Sequence, residues 1–255
     1  MSADDLRAQA HDNLVLWSRV YGEHNHARVA TEEGLLLSSI ALPYAGFRTA
    51  VPVGPTSRAS IEAARAFFAD DPEAFVVYAR PDVDTELAGK GVMELFRAPQ
   101  MVCTEPPAAP SVGSDVDVVV TRDHGDLHDY AVVAGKAFAD LNFPEDQTTV
   151  SLDRPSFVDD PRVALAVARV DGSVVAGAVA VTEGAGSYIS FVAADKEARR
   201  RGLGDAVTRL VTRAGFDAGA SMASLEASPF GYHVYERMGY REVFKYALLV
   251  VVPPK

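Results

Sequence analysis

The densest run of chemistry-bearing residues in this chain is Val192-Ala-Ala-Asp-Lys-Glu-Ala-Arg-Arg-Arg-Gly-Leu-Gly-Asp-Ala206. A strand-like stretch runs into a basic turn, and Gly202-x-Gly204 then opens a helix. Helix N-termini present unpaired N–H groups and the positive end of the helix dipole, so they hold phosphates well. Gly202 and Gly204 carry no side chains and let a pyrophosphate approach the backbone. Arg199, Arg200 and Arg201, with Lys196 nearby, add charge that a multiply phosphorylated ligand would complement. Two familiar phosphate motifs are excluded. Val207 occupies the place of the third glycine of a dinucleotide fingerprint, and no Gly-Lys-Ser/Thr follows as in a Walker loop.

A second run, Ser228-Pro-Phe-Gly-Tyr-His-Val-Tyr-Glu-Arg-Met-Gly-Tyr240, supplies candidate proton donors. Ser228 as N-cap and Pro229 at the first helical position predict a helix start here. Tyr232 and Tyr235 lie three apart and share a helix face, which also fits two aromatics packing on a sheet. A phenol with a pKa near 10 stays protonated at neutral pH and can donate to an anion that forms during a reaction. His233 points to a different helical face and reads as structural. His24, His26, His124 and His128 show no metal spacing, and Gly-x-Ser-x-Gly is absent, so neither a metal site nor a nucleophile elbow is expected.

Arg199-x-x-Gly202-x-Gly204 after a strand resembles the acyl-CoA pyrophosphate loop of the GNAT N-acetyltransferases, and the order of strands and helices across 115–255 is similar to theirs. The second run resembles that family's Asn-x-x-Ala-x-x-Leu-Tyr-x-x-x-Gly-Phe, matching at Tyr235 and Gly239. Tyr240 stands for the Phe, Ser228 for the Asn and Gly231 for the Ala. The resemblance implies acetyl-CoA as co-substrate and a primary amine of a small molecule or protein as acceptor. It places Val192, Ala193 and Ala194 on a splayed strand whose backbone bonds the pantetheine arm. Arg199, Arg200, Arg201, Gly202, Leu203, Gly204 and Asp205 become the pyrophosphate loop. Ser228 falls where the family's Asn contacts the pantetheine, and Tyr235 where a tyrosine assists the departing thiolate. Glu183 and Glu226 are both candidates for the base that takes the amine proton, and a water chain is a third option. A non-catalytic CoA-binding regulatory or interaction protein is the alternative, supported by the Ser in place of Asn and the unassigned base. The acids Asp140, Glu145, Asp146, Asp153, Asp159 and Asp160 would lie near an acceptor pocket, or form a solvated loop.

The elements that must position these groups follow from periodicity. Strands are expected at 27–30, 35–42, 74–78, 91–102, 115–121, 162–170, 174–182, 188–193 and 222–227, with a last strand ending the chain. Turns fall at Glu33-Gly34 and Asp171-Gly172. Helices are expected at 4–20, from Ser57, at 126–140, 203–216 and 232–237, and 141–161 reads as polar and Pro-interrupted. The fold class is α/β, with a GNAT-like mixed central sheet flanked by helices and a second, smaller N-terminal α/β domain. The Pro-rich run 104–114 marks the seam, giving a domain over 1–108, a linker over 109–114 and a GNAT domain over 115–255. The N-terminal block could be a degenerate copy of the same fold, and it lacks the phosphate loop.

Composition narrows the class. With 48% hydrophobic and 23% charged residues the chain has the apolar content for a core. A net charge of −11 disfavours nucleic acid or anionic membrane as partners. No apolar stretch approaches the roughly 20 residues of a membrane span, and the N-terminus has no apolar signal-peptide region. The single cysteine, Cys103, excludes an internal disulfide. The expectation is a cytoplasmic protein, with Tyr246 to Val252 as an edge strand that could pair two copies.

Overall fold

The computed structural model describes residues 1–71, 74–87, 91–198 and 200–252. In chain order the elements are α1 (Ala3–His24), β1 (Arg28–Glu32), β2 (Leu35–Ser39), β3 (Arg48–Pro52), α2 (Arg58–Phe67), β4 (Phe75–Ala79), β5 (Val92–Cys103), β6 (Val116–Thr121), α3 (His124–Ala139), α4 (Glu145–Leu152), α5 (Pro155–Asp159), β7 (Val163–Val170), β8 (Ser173–Glu183), β9 (Gly186–Ala194), α6 (Leu203–Asp217), β10 (Met222–Glu226), α7 (Tyr232–Arg237) and β11 (Arg241–Val251). This is a mixed α/β architecture with a central sheet flanked by helices.

The chain forms two compact units, and its ends are exchanged relative to a simple division near residue 110. One unit is Met1–Leu16 with Met101–Val243, the other Trp17–Gln100 with Phe244–Lys255. The first sixteen residues belong to the larger unit because buried Asn13 of α1 donates to Ser187 O (3.1 Å) and Ser224 Oγ (3.0 Å). The Pro-rich run is part of that unit as well, since Arg213 of α6 donates to Pro107 O at 2.9 Å.

In the larger unit the strand order is β10-β9-β8-β7-β6. The β6, β7, β8 and β9 neighbours are antiparallel, and β9 with β10 is parallel. Asp171 (φ 50°) and Gly172 (φ 80°) make the tight β7–β8 turn that their types predict. One face of the sheet carries Ala176, Ala178, Ala180, Ile189, Ala223 and Leu225, packed on Leu203, Val207 and Val211 of α6. The small side chains of β8 let that helix lie close. The opposite face belongs to α3 and the start of α1. There, an added Cβ at Gly177 would meet the Tyr130 ring, and one at Gly186 would meet Asn13 Oδ1. The stretch 141–161, expected to be irregular, holds α4 and α5.

In the smaller unit the order is β1-β2-β3-β4-β11-β5. Its core gathers Leu35, Leu37, Ala50, Phe68, Phe75, Val77 and Leu249. Strand β3 was not expected from the sequence. The expected edge strand at Tyr246 to Val252 is instead an inner one: residues 247–251 pair with 75–79 of β4, and β5 lies on the other side. Its Val- and Leu-rich character is that of a strand covered on both edges. Among the described residues no helix is long and apolar enough to cross a membrane.

Candidate functional site

Two features of β9 create an opening in the larger unit. Pairing of β9 with β10 ends at Ile189 with Leu225, yet β9 continues to Ala194, held from its other side by β8. Past Ile189 the β9 edge that faces β10 is therefore released from the ladder. Within the released stretch, Val179 pairs with Ser190 while Gly177 pairs with Ala193, so β9 carries one extra residue. This is a β-bulge, and such bulges bend a strand and re-aim its groups.

The bulge centres on Phe191, whose φ of 48° is unusual for an aromatic side chain. Surrounding contacts hold it there. Tyr130 of α3 donates its hydroxyl hydrogen to Phe191 O at 2.7 Å, and Phe138 packs on the Phe191 ring with centroids 5.0 Å apart. Tyr130→Phe removes this donor from the Phe191 carbonyl. It is expected to cost about 1–2 kcal/mol by denaturant unfolding and to lower activity more than a surface change would, because the bulge shapes the opening.

Val192, Ala193 and Ala194 follow the bulge. Val192 and Ala194 pack against the cluster that also contains Leu203 and Tyr235. The chain then turns through a short 3₁₀ segment, Lys196–Ala198, and enters α6. Gly202 is the N-cap with φ 75°, a conformation that favours glycine, and it offers no side-chain acceptor to the first-turn N–H groups. Open space surrounds the Cβ directions of both Gly202 and Gly204. Arg200 is exposed with φ 65°, while Arg201 pairs with Asp115 at 2.5 Å. Asp205, an acid in the first turn, is tied to Arg209 at 2.6 Å, which offsets its charge beside the open N–H groups. Arg199, expected as part of this loop, lies outside the described residues.

The smaller unit supplies a contrast. Its β3–α2–β4 passage is also a parallel strand–helix–strand unit. There, however, Ser57 caps α2 with its own side chain, accepting from Ala59 N, while Ser60 Oγ accepts from Ser57 N at 2.9 Å. That helix start is satisfied internally, whereas no side chain caps the first turn of α6.

Tyr235 is buried on α7, its ring lying against Gly231. A Cβ there would sit 2.6 Å from the ring and 3.0 Å from the hydroxyl. This close approach explains the glycine at position 231. Burial pushes the phenol pKa well above its ordinary value, so the hydroxyl remains a donor at neutral pH. The helix starts later than expected. Gly231, not Ser228, is the N-cap of α7, because Ser228 to Gly231 form a turn in which Ser228 O and Oγ both accept from Gly231 N. His233 is exposed and pairs with Glu236 at 3.2 Å, as befits a structural residue.

Of the two acids, Glu183 pairs with Gly186 at the β8–β9 hairpin, the end of β9 remote from the bulge. Glu226 closes β10, one residue past the last β9–β10 pair. Its Oε2 is sealed and has no hydrogen-bond partner among the described residues, and burial raises its pKa to about 7. Neither composition nor spacing distinguished the two acids; the strand register does. Several acids of the 140–160 stretch are paired: Asp153 with His128, Asp159 with His124 and Asp160 with Arg162.

Residues 130–240 match the model of the acetyltransferase (GNAT) family. No curated protein matches by sequence. Among solved structures, a GCN5-related N-acetyltransferase from Kribbella flavida superposes with a TM-score of 0.72 at 18% identity, covering 95% of this chain and 96% of that one. One from Sphaerobacter thermophilus gives 0.62 at 16%, covering 87% and 78%. A tandem GNAT protein from the clavulanic acid biosynthesis pathway gives 0.61 at 14%, covering 87% and 79%. At these identities the structures establish the fold alone. Sequence match and fold agree over the same segment: residues 130–240 match the acetyltransferase (GNAT) family model and lie within a chain that has the fold of these structures.

Proposed function

We propose that the protein transfers an acetyl group from acetyl-CoA to a primary amine of a small molecule or protein, directly and without a covalent enzyme intermediate. The observation that carries this reading is the release of β9 from β10 beyond Ile189, next to a helix start whose N–H groups no side chain caps. The released backbone at Val192, Ala193 and Ala194 would bond the pantetheine arm. The N–H groups of Gly202, Leu203, Gly204 and Asp205, with Arg200 and Arg201 beside them, would hold the pyrophosphate. Strand N–H groups in this gap would polarise the thioester carbonyl. Fixing both reactants there supplies proximity.

Tyr235 is assigned to the departing thiolate, to which its protonated phenol would donate. Tyr235→Phe keeps the ring against Gly231 and removes only the hydroxyl. Turnover in a thiol-release assay is expected to fall at least tenfold, while the acetyl-CoA Kd from isothermal titration stays within twofold. Unchanged turnover would remove the acid role from Tyr235. The family reading as a whole is tested by the same two measurements on the wild-type chain. Micromolar acetyl-CoA binding with amine-dependent thiol release supports it, and tight binding with no release across a broad amine panel favours the non-catalytic alternative. On this reading the smaller unit, a GNAT-like α/β unit with a self-capped helix start, binds no CoA, and the stoichiometry is one acetyl-CoA per chain.

A further inference from the structure

Glu226 and three half-buried phenylalanines lie on the same side of the sheet, and this side is not the one occupied by α6 and α7. The faces follow from register. Met222, Ser224 and Glu226 alternate with Ala223 and Leu225, and Ala223 and Leu225 pack in the α6 cluster. Ser224 bonds Asn13 of α1, so Glu226, two residues on, faces the α1 and α3 side. Phe191 lies on that side too, because its ring contacts Phe138 of α3, and Phe143, between α3 and α4, packs edge-on to Phe138 at 5.7 Å. Glu226 continues β10 at the level where β9 reaches Ser190, the residue before Phe191. The three rings are neither fully buried nor fully exposed, so the side of the sheet on which Glu226 ends β10 also carries a partly open apolar surface.

We infer that the acceptor is a primary amine carried on an apolar, ring-bearing body, its ring seated among Phe138, Phe143 and Phe191 and its nitrogen directed to Glu226. This rests on the acetyl-transfer reading and specifies the acceptor side of the same site. A sealed carboxylate oxygen with no partner is costly, and a bound ammonium group supplies the missing donor. The aromatic surface discriminates by the ring it covers, and a polar or polycationic body would be desolvated there without compensation.

The chemistry balances with the groups present. The ammonium gives one proton to the Glu226 carboxylate, leaving a neutral amine. Its lone pair attacks the thioester carbonyl carbon, forming the C–N bond. As the C–S bond breaks, its electron pair leaves on sulfur, and the second amine proton ends on that sulfur, with the Tyr235 hydroxyl as the assigned relay. The products are the amide, the free thiol and protonated Glu226, which returns its proton to solvent.

The test uses the full-length chain, acetyl-CoA and thiol release with 2-phenylethylamine and tyramine against ethylamine, putrescine and glucosamine. Expected is a kcat/KM at least tenfold higher for the two aryl amines, a preference that Phe143→Ala collapses. Glu226→Gln should lower kcat for every amine by about a hundredfold or more, with acetyl-CoA binding by titration retained. Preference for putrescine or glucosamine, an aryl preference untouched by Phe143→Ala, full turnover by Glu226→Gln, or no aryl-amine turnover would each overturn the acceptor assignment. If acetyl-CoA still binds in those cases, the CoA-site reading stands. Failure of the wild-type chain to bind acetyl-CoA would overturn both.

Discussion

Gly204→Trp is expected to abolish acetyl-CoA binding, by a hundredfold or more in Kd, in a protein that remains folded. A Cβ at Gly204 meets no atom within 4 Å and its φ is not in the left-handed region, so the backbone tolerates a side chain there. Replacing glycine inside a helix favours the folded state by about 0.5–1 kcal/mol through chain entropy, so thermal stability should be equal or higher. An indole at the second position of α6 would nevertheless fill the space before the first-turn N–H groups, where the pyrophosphate is assigned. Isothermal titration and a melting curve on the same sample check both halves of the claim. Retained micromolar affinity in a folded variant would remove the α6 start from the CoA site. Gly202→Trp is a poorer probe, because φ at Gly202 is 75° and any L side chain there is strained.

The contrast between α6 and α2 shows what a sequence makes legible. Gly202 at one helix start and Ser57 at the other are readable as an open and a self-capped N-terminus, and the structure bears out the Ser57 cap. Turns at Glu33-Gly34 and Asp171-Gly172 were legible for the same reason, since a local backbone conformation demands particular residue types. The released β9 edge was implied by family resemblance alone. The bulge had no local signal: nothing about Phe191 announces a positive φ, which is imposed by Tyr130 and the register of β8. The place of Glu226 is likewise a property of strand pairing. Ser228-Pro229 reads as a helix start and forms a turn instead, because Gly231 lets the Tyr235 ring approach and moves the cap three residues on. The exchanged chain ends were not legible in composition either. The contacts that fix them, such as Asn13 with Ser187 and Ser224, span more than 170 positions.

Glu226→Gln is expected to stabilise the protein at alkaline pH while it removes activity, a pairing that a purely structural glutamate would not produce. Burial raises the Glu226 pKa from 4.5 to about 7, so the folded state binds this proton more tightly than the unfolded chain does. Stability owed to the protonated carboxyl is therefore fully present below about pH 4.5 and is lost as pH rises through about 7. A rise of about 2.5 pKa units corresponds to an upper bound of about 3 kcal/mol, on the order of 1.4 kcal/mol per unit. The neutral amide has a similar shape and loses nothing over that range. Urea unfolding at pH 5 and pH 8 should accordingly show the wild type weakening relative to Glu226→Gln by one to about three kcal/mol at the higher pH. Little difference would separate them near pH 4.5. Equal pH slopes for the two proteins would mean that the carboxylate is ionised and solvated in the folded state, and would take away both the strain and the orphaned oxygen on which its pairing with an ammonium group depends. A steeper wild-type slope together with a dead variant would tie the cost of burying this acid to the reaction it serves.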